Sequence, residues 1–241
     1  MRGQRGVALL LVLWVLALLS MLLAGLAGWV QLESRQALWQ RQHTQALLAA
    51  EAGVNLAVAG ITDPARQREW LADGRVHDLQ FDGVALRVSA RSEVGHLDAN
   101  VASAADFTRL LVACGADPAA ARTAARGLEV RRNGGQAPVR VVEELRQLPG
   151  MRAAVYSCMA PNMTLWSGLE RPDPGFATPL LKRVLSLPTV AAVSDEGGPI
   201  VTLISTARLP QGQAATLRVT LLLNPSTDGA RPYRVLHWQE E

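Results

Sequence analysis

The chain has 241 residues, enough for one or two modest domains and too few for a large multidomain enzyme. Hydrophobic residues make up 49% and charged residues 19%, an apolar excess that gathers at the N-terminus, argues against a freely cytosolic protein and excludes disorder. The formal net charge of +3 is close to neutral at this length, and no block of like charges suggests a nucleic-acid tail.

Residues 7–30 form 24 consecutive positions without a charge. At about 1.5 Å per residue they span roughly 36 Å, enough for a hydrocarbon core of about 30 Å. Arg2 and Arg5 precede this run and the next basic residue is Arg35, so the bulk of the chain is expected on the exported side. Three readings compete. A cleaved secretory signal has a site at Gly25-Leu26-Ala27, but its apolar region should be only about 7–15 residues long. A plain signal anchor is the second. The third rests on QRGVALLLVLWVL, residues 4–16, where a short basic leader ends in Gly6 directly before the apolar run. That junction resembles the type IV prepilin leader, which prepilin peptidase cuts on the cytoplasmic side, here between Gly6 and Val7. The apolar helix then stays on the mature protein.

The pattern continues past the apolar run. Leu32, Leu38, Trp39, Ala46, Leu47, Ala50, Val54 and Ala57 recur at spacings of three, four and seven, with Glu33, Arg35, Gln36, Arg41 and Gln42 between them. The first proline is Pro64. One helix over residues 7–60, about 80 Å long, accounts for this. A transmembrane helix followed by a separate surface helix is the alternative. Trp29 suits an interfacial anchor, Trp14 packs against a neighbouring helix, and Trp39, Trp70, Trp166 and Trp238 are expected in the core.

Residues 61–75 read as a connector with one helical turn. Two strand-like runs, 76–81 and 84–90, flank Asp82-Gly83, a strong hairpin signal. Helices follow: one capped by Ser103 and running to Ala113, one from Pro118 to about Leu128, one over 139–148 and one over 179–187. Strands return at 199–206, 214–223 and 233–238, separated by turns at Gly212 and Asp228-Gly229, and the simplest arrangement is an antiparallel meander. The expectation is an α+β fold: a long N-terminal helix, an antiparallel sheet packed on it, and an inserted small helical domain.

At this level of detail the sequence resembles the K-type minor pseudopilin of the bacterial type II secretion system. The strings that carry the resemblance, in order, are QRGVALLLVLWVLALLS (4–20), AEAGVNLA (50–57), GHLDANVASAADFTRLL (95–111), VVEELRQLPGM (141–151), MTLWSG (163–168) and PDPGFATPLLKRVLSLP (172–188). The resemblance implies a pilin-like layout: leader 1–6, long helix 7–60, β domain 61–94 and 189–241, inserted helical domain 95–188. It implies an inner-membrane, single-pass protein with a periplasmic C-terminal part. Its implied partners are the I- and J-type minor pseudopilins, prepilin peptidase and the secretion system's inner-membrane platform. Major pilins and most pseudopilins carry Glu at the fifth mature position, whereas K-type subunits lack it; here that position is Leu11. An incoming subunit's Glu neutralises the terminal ammonium of the subunit ahead, so an apolar residue suits a subunit with none ahead, because a lone carboxylate in lipid is costly. K-type proteins are usually longer, so the insertion is expected to be trimmed. Some family members bind calcium; no EF-hand-like loop is present, and Asp98 or Asp195-Glu196 alone assign no ligand. No cofactor is expected.

GHLDANVASAADFTRLL with ELRQLPGM also resembles helix-hairpin-helix DNA-binding repeats, which would make this a DNA-uptake protein. Glu143 and Glu144 beside Arg146 and Arg152 speak against a basic face, so no nucleic-acid partner is expected. No Walker A, GxSxG, HExxH or CxxC motif is present, and His43, His77, His96 and His237 lie far apart in sequence, so no enzyme chemistry is expected. Cys114 and Cys158 both fall on the exported side, where paired cysteines are the rule and two buried thiols the alternative.

Overall fold

The computed structural model describes residues 5–190, 197–223 and 232–241. With no proline before Pro64, the first element is one unbroken helix, α1 (Arg5–Thr62), of 58 residues and about 87 Å. Its two halves meet different surroundings. From Leu10 through Trp39 its described side chains are exposed, whereas Ala46, Ala49, Ala50, Val54, Ala57 and Val58 are buried at spacings of three and four. Leu32, Leu38 and Trp39, read above as part of one apolar face with this stripe, lie beyond the sheet's reach and stay exposed.

The buried stripe packs on a five-stranded antiparallel sheet in the order β1-β2-β5-β6-β7. Its strands are β1 (Asp73–Phe81), β2 (Val84–Ser92), β5 (Ile200–Arg208), β6 (Ala214–Leu223) and β7 (Tyr233–Glu240). Two-residue strands β3 (Leu97–Asp98) and β4 (Met163–Thr164) pair in parallel elsewhere. Asp82 and Gly83, both at positive φ, make the tight turn from β1 to β2. Val84, Leu86, Val88 and Ala90 alternate with exposed or half-buried residues on β2; Leu203 on β5 pairs with Ala90 and with Val219 on β6, keeping one apolar face toward α1. The turn expected at Asp228-Gly229 lies outside the described residues.

β2 and β5 are neighbours although some hundred residues separate them in sequence. Ser92, the last residue of β2, pairs with Val201 at the start of β5. The intervening segment therefore leaves and re-enters the sheet at adjacent points, and a long insertion costs little extra closure entropy. It has its own core, built from Leu97, Phe107, Leu110, Leu111, Leu128, Leu145, Met159, Leu181 and neighbours, separate from the core between α1 and the sheet. Its helices are α2 (Ala104–Ala113), capped by the Ser103 hydroxyl, α3 (Pro118–Asn133), capped by Asp117, α4 (Ala153–Met159) and α5 (Pro179–Val184).

Several expectations need correction. α3 runs five residues past Leu128, because Arg132 donates to the carbonyls of Ala99 and Ala102 and Arg131 pairs with Glu144. The stretch expected as a helix over 139–148 is only a 3-10 turn, Val142–Gln147. Val139 is instead held extended by both its N–H and its carbonyl against the Asn100 amide. α5 stops at Val184 rather than continuing to Leu187, with Ser186 at positive φ. Of the four tryptophans expected in the core only Trp70 is buried; Trp39 and Trp238 are 53% and 45% exposed, and Trp166 is half-buried. α4 was not expected, although Val155, Tyr156 and Met159 carry the spacing of a buried helical face.

Small residues bring α1 close to the sheet. A Cβ on Gly53 would stand 2.3 Å from the Ser205 hydroxyl, and one on Gly60 2.5 Å from the Trp70 Cγ atom. A serine can rotate; a buried indole cannot. Gly60→Ala gains about 1 kcal/mol of helix propensity but forces an overpacked contact worth about 1–3 kcal/mol. We expect Gly60→Ala to lower the melting temperature, read by thermal unfolding of the full chain in detergent. A variant as stable as the parent would contradict the close approach.

Candidate assembly surface

The exposed half of α1 is the largest unpartnered apolar surface among the described residues. Leu10 to Leu26 presents Leu, Val, Met and Trp on every side, and Leu11 is 63% exposed. Ser20, the polar break in this run, donates its hydroxyl to the Leu16 carbonyl, satisfying itself within the helix as lipid requires. Among the described residues α1 is the one helix long and apolar enough to cross a membrane. Gly6 and Val7 lie in its first turn.

Beyond the apolar run the helix is steered by contacts on its flanks. Trp39 stacks on His43 with ring centroids 5.1 Å apart, and His43 Nε2 lies 2.8 Å from the Glu240 carboxylate at the end of β7. The Tyr233 hydroxyl donates to Asn55, fixing the start of β7 to the same helix. On the other flank, Ala37, Arg41, Thr44 and Leu48 form an open groove of about 690 Å³ with Phe81 and Asp82 of the β1–β2 turn.

The inserted unit is latched by buried polar groups that the sequence reading left without roles. Asp98, buried at the β3–β4 pair, accepts from the backbone N–H of Asn100 and Gly168 and from the Ser167 hydroxyl. Asp106 is buried beside Arg109 at 3.0 Å and Arg171 at 3.2 Å, tying α2 to the segment before α5. These carboxylates face N–H and guanidinium donors, which does not suit a cation, and among the described residues no group of three or more His, Cys, Asp or Glu could hold a metal ion. Asp195 and Glu196 lie outside the described residues. Glu144 is held below the usual carboxylate range, first by Arg131 and then by the N–H groups of Arg140 and Val141. At the Leu148-Pro149-Gly150 turn the guanidinium groups are used within the chain: Arg146 lies 4.3 Å over the Tyr156 ring and Arg152 donates to the Gly115 carbonyl.

Cys114, at the C-terminal cap of α2, and Cys158, in α4, are joined in a disulfide with Cα atoms 5.6 Å apart and a sequence separation of 44. The bond ties α2 to α4 across the inserted core.

No protein-family model matches the sequence, and no curated protein matches it. Among solved structures the chain is similar to a chain of the GspK-GspI-GspJ complex from the type 2 secretion system of enterotoxigenic Escherichia coli. The TM-score is 0.60 at 13% sequence identity, covering 84% of this chain and 98% of that one. The fold is thus pseudopilin-like: a long N-terminal apolar helix, an antiparallel sheet and an inserted set of helices.

A loop closed by about 44 residues gains roughly 3–4 kcal/mol from the disulfide in the chain-entropy model. Replacing both cysteines by serine is expected to destabilise the inserted unit by that order and to leave membrane association unchanged. Denaturant unfolding followed at Tyr156, with thiol titration of the unreduced parent, checks it; two titratable thiols in the parent would overturn it.

Proposed function

We propose that the chain is a K-type minor pseudopilin of a type II secretion system, set in the bacterial inner membrane by α1 with its β and inserted parts in the periplasm. The observation that carries this reading is the continuity of α1. One helix passes without a break from a lipid-compatible half into a half packed on a sheet, within a fold shared with a subunit of a type 2 secretion complex. An ordinary signal anchor needs no such rigid coupling between span and domain.

In this reading prepilin peptidase removes residues 1–6 and leaves Val7 as an N-methylated terminus. Cleavage takes away Arg2 and Arg5, leaving 22 basic against 21 acidic side chains and a formal charge of +1. The subunit assembles with I- and J-type minor pseudopilins through the exposed half of α1, on the inner-membrane platform. Leu11 supports a place at the tip, since a fifth-position carboxylate would have no ammonium ahead of it and would cost about 2.5–3.5 kcal/mol in lipid. The bulky inserted unit supports the same place, because it would obstruct a subunit stacking above. The complex initiates or limits pseudopilus growth during protein export; the subunit's role is assembly, with no chemistry of its own.

Mass spectrometry of the membrane form is expected to give a terminus at Val7; a terminus at Met1 or near Gly28 would overturn the reading. Co-expression with the two other minor pseudopilins of the same system is expected to yield a heterotrimer on co-purification. Fibres formed by this subunit alone would contradict the tip position.

A further inference from the structure

At the joint between the inserted unit and the sheet, the insertion and the sheet face turned away from α1 bound a cleft of about 390 Å³. That volume falls in the range of small-ligand sites, about 300–1,000 Å³. Val142, Pro161, Met163 and Trp166 line it on the insertion side, and Ile204 of β5 lines it from the sheet. Its base is polar and buried: Glu93, His96 and Thr220 are 4%, 7% and 2% exposed.

The direction of each hydrogen bond at this base follows from the groups involved. A carboxylate only accepts, so the Thr202 hydroxyl donates to Glu93. A hydroxyl has one proton, so in the 2.7 Å bond between Thr202 and Thr220 the donor is Thr220. The Thr220 proton is thereby used, and its oxygen keeps its lone pairs. Nδ1 of His96 lies 3.2 Å from the Ser92 carbonyl, which also only accepts, so Nδ1 holds the ring proton and Nε2 is an acceptor. Burial favours this neutral ring by pushing the imidazole below its ordinary value; Glu93 pulls the other way, and Arg91 and Arg218 add to the depression. Among the described residues nothing else donates to the Glu93 carboxylate, the Thr220 hydroxyl or His96 Nε2. The base therefore presents a carboxylate, a hydroxyl oxygen and an imidazole nitrogen, all acceptors, and no donor.

Glu93 is also a buried charge whose one bond is to a neutral hydroxyl, a costly state for a carboxylate. Arg218 is engaged by Glu241, and Arg91 stands exposed on β2; among the described residues neither pairs with Glu93. Histidines apart, the cleft is lined by three carboxylates, Glu93, Glu143 and Glu241, against the guanidinium groups of Arg91 and Arg218, a formal charge of −1.

We propose that this cleft binds a primary ammonium carried on an apolar stem. An ammonium has three N–H donors and no acceptor, the complement of a base made only of acceptors. Its single positive charge balances the lining and gives Glu93 a counter-ion. The stem runs along Met163, Trp166 and Ile204, as a lysine side chain covers apolar surface. An anionic ligand meets the Glu93 charge and finds no donor at the base. The chain's one lysine, Lys182, lies in α5 and does not line the cleft, so the ammonium comes from another molecule: a lysine of another polypeptide or a free alkylamine.

NMR of the histidine rings in the full chain in detergent tests this at a fixed pH of about 7.5, where an alkylammonium is charged and an ordinary imidazole neutral. The probe is n-pentylammonium, with n-pentanol and n-pentanoate as its neutral and anionic matches. The His96 signal is assigned by elimination with His43→Gln, His77→Gln and His237→Gln. The expected result is a saturable shift of the His96 ring with the ammonium, at least about tenfold weaker binding of pentanol, none of pentanoate, and at least about tenfold weaker binding of the ammonium to Glu93→Gln. No saturable shift with the ammonium, equal affinity for pentanol or pentanoate, or unchanged affinity in Glu93→Gln overturns the proposal. Should Glu93→Gln not fold, Thr220→Val takes its place: loss of one acceptor is expected to weaken the ammonium several-fold, and an unchanged affinity overturns the proposal. Nα-acetyl-lysine methylamide separates the two sources. Binding as tight as that of n-pentylammonium assigns a polypeptide lysine; a shift with n-pentylammonium alone assigns a free amine.

Discussion

Everything in this molecule hangs on the demand that one helix satisfy two environments without interruption. In lipid a helix needs only apolar side chains and internally closed backbone hydrogen bonds, and residues 10–26 meet that with Ser20 bonded back to its own turn. Against a sheet a helix needs small residues on one stripe so that the layers approach, and Ala46, Ala50, Gly53, Ala57 and Gly60 supply them. Between the two regimes, Trp39 and His43 occupy the shoulder where the helix leaves the sheet, clipped to Glu240.

The inserted unit shows how a second core is added without disturbing the first. Its ends enter and leave at paired positions of β2 and β5, so the sheet closes as if the insertion were a turn. The unit then stabilises itself with devices independent of the sheet: its own apolar cluster, the Asp98 and Asp106 latches, and the Cys114–Cys158 bond. Where the two units meet, Ser92, Glu93 and His96 make hydrogen bonds, Phe176 packs against Gly95 and Gly197, and Trp166 lies against His237 of β7.

By itself the sequence determined the elements whose signals are local and periodic. The uncharged run of residues 7–30, the absence of proline before Pro64, the Asp82-Gly83 turn, the Ser103 cap and the helix start at Pro118 each fix an element through contacts within a few residues, and the structure has them at those positions. The antiparallel order of the C-terminal strands was legible for the same reason. Tertiary structure alone decided what depends on partners far away in the chain. Val139 is extended because Asn100 holds it from 39 residues away, and α3 outlasts Leu128 because Arg132 finds carbonyls some thirty residues back. Trp70 is buried because it packs against Gly60 of α1, whereas Trp238 lies on the edge strand β7 and stays exposed. The pairing of β2 with β5, which makes one sheet of two β regions, and the burial of Glu93 and His96 at the joint leave no periodic mark, since each is settled by a neighbour that only folding brings near.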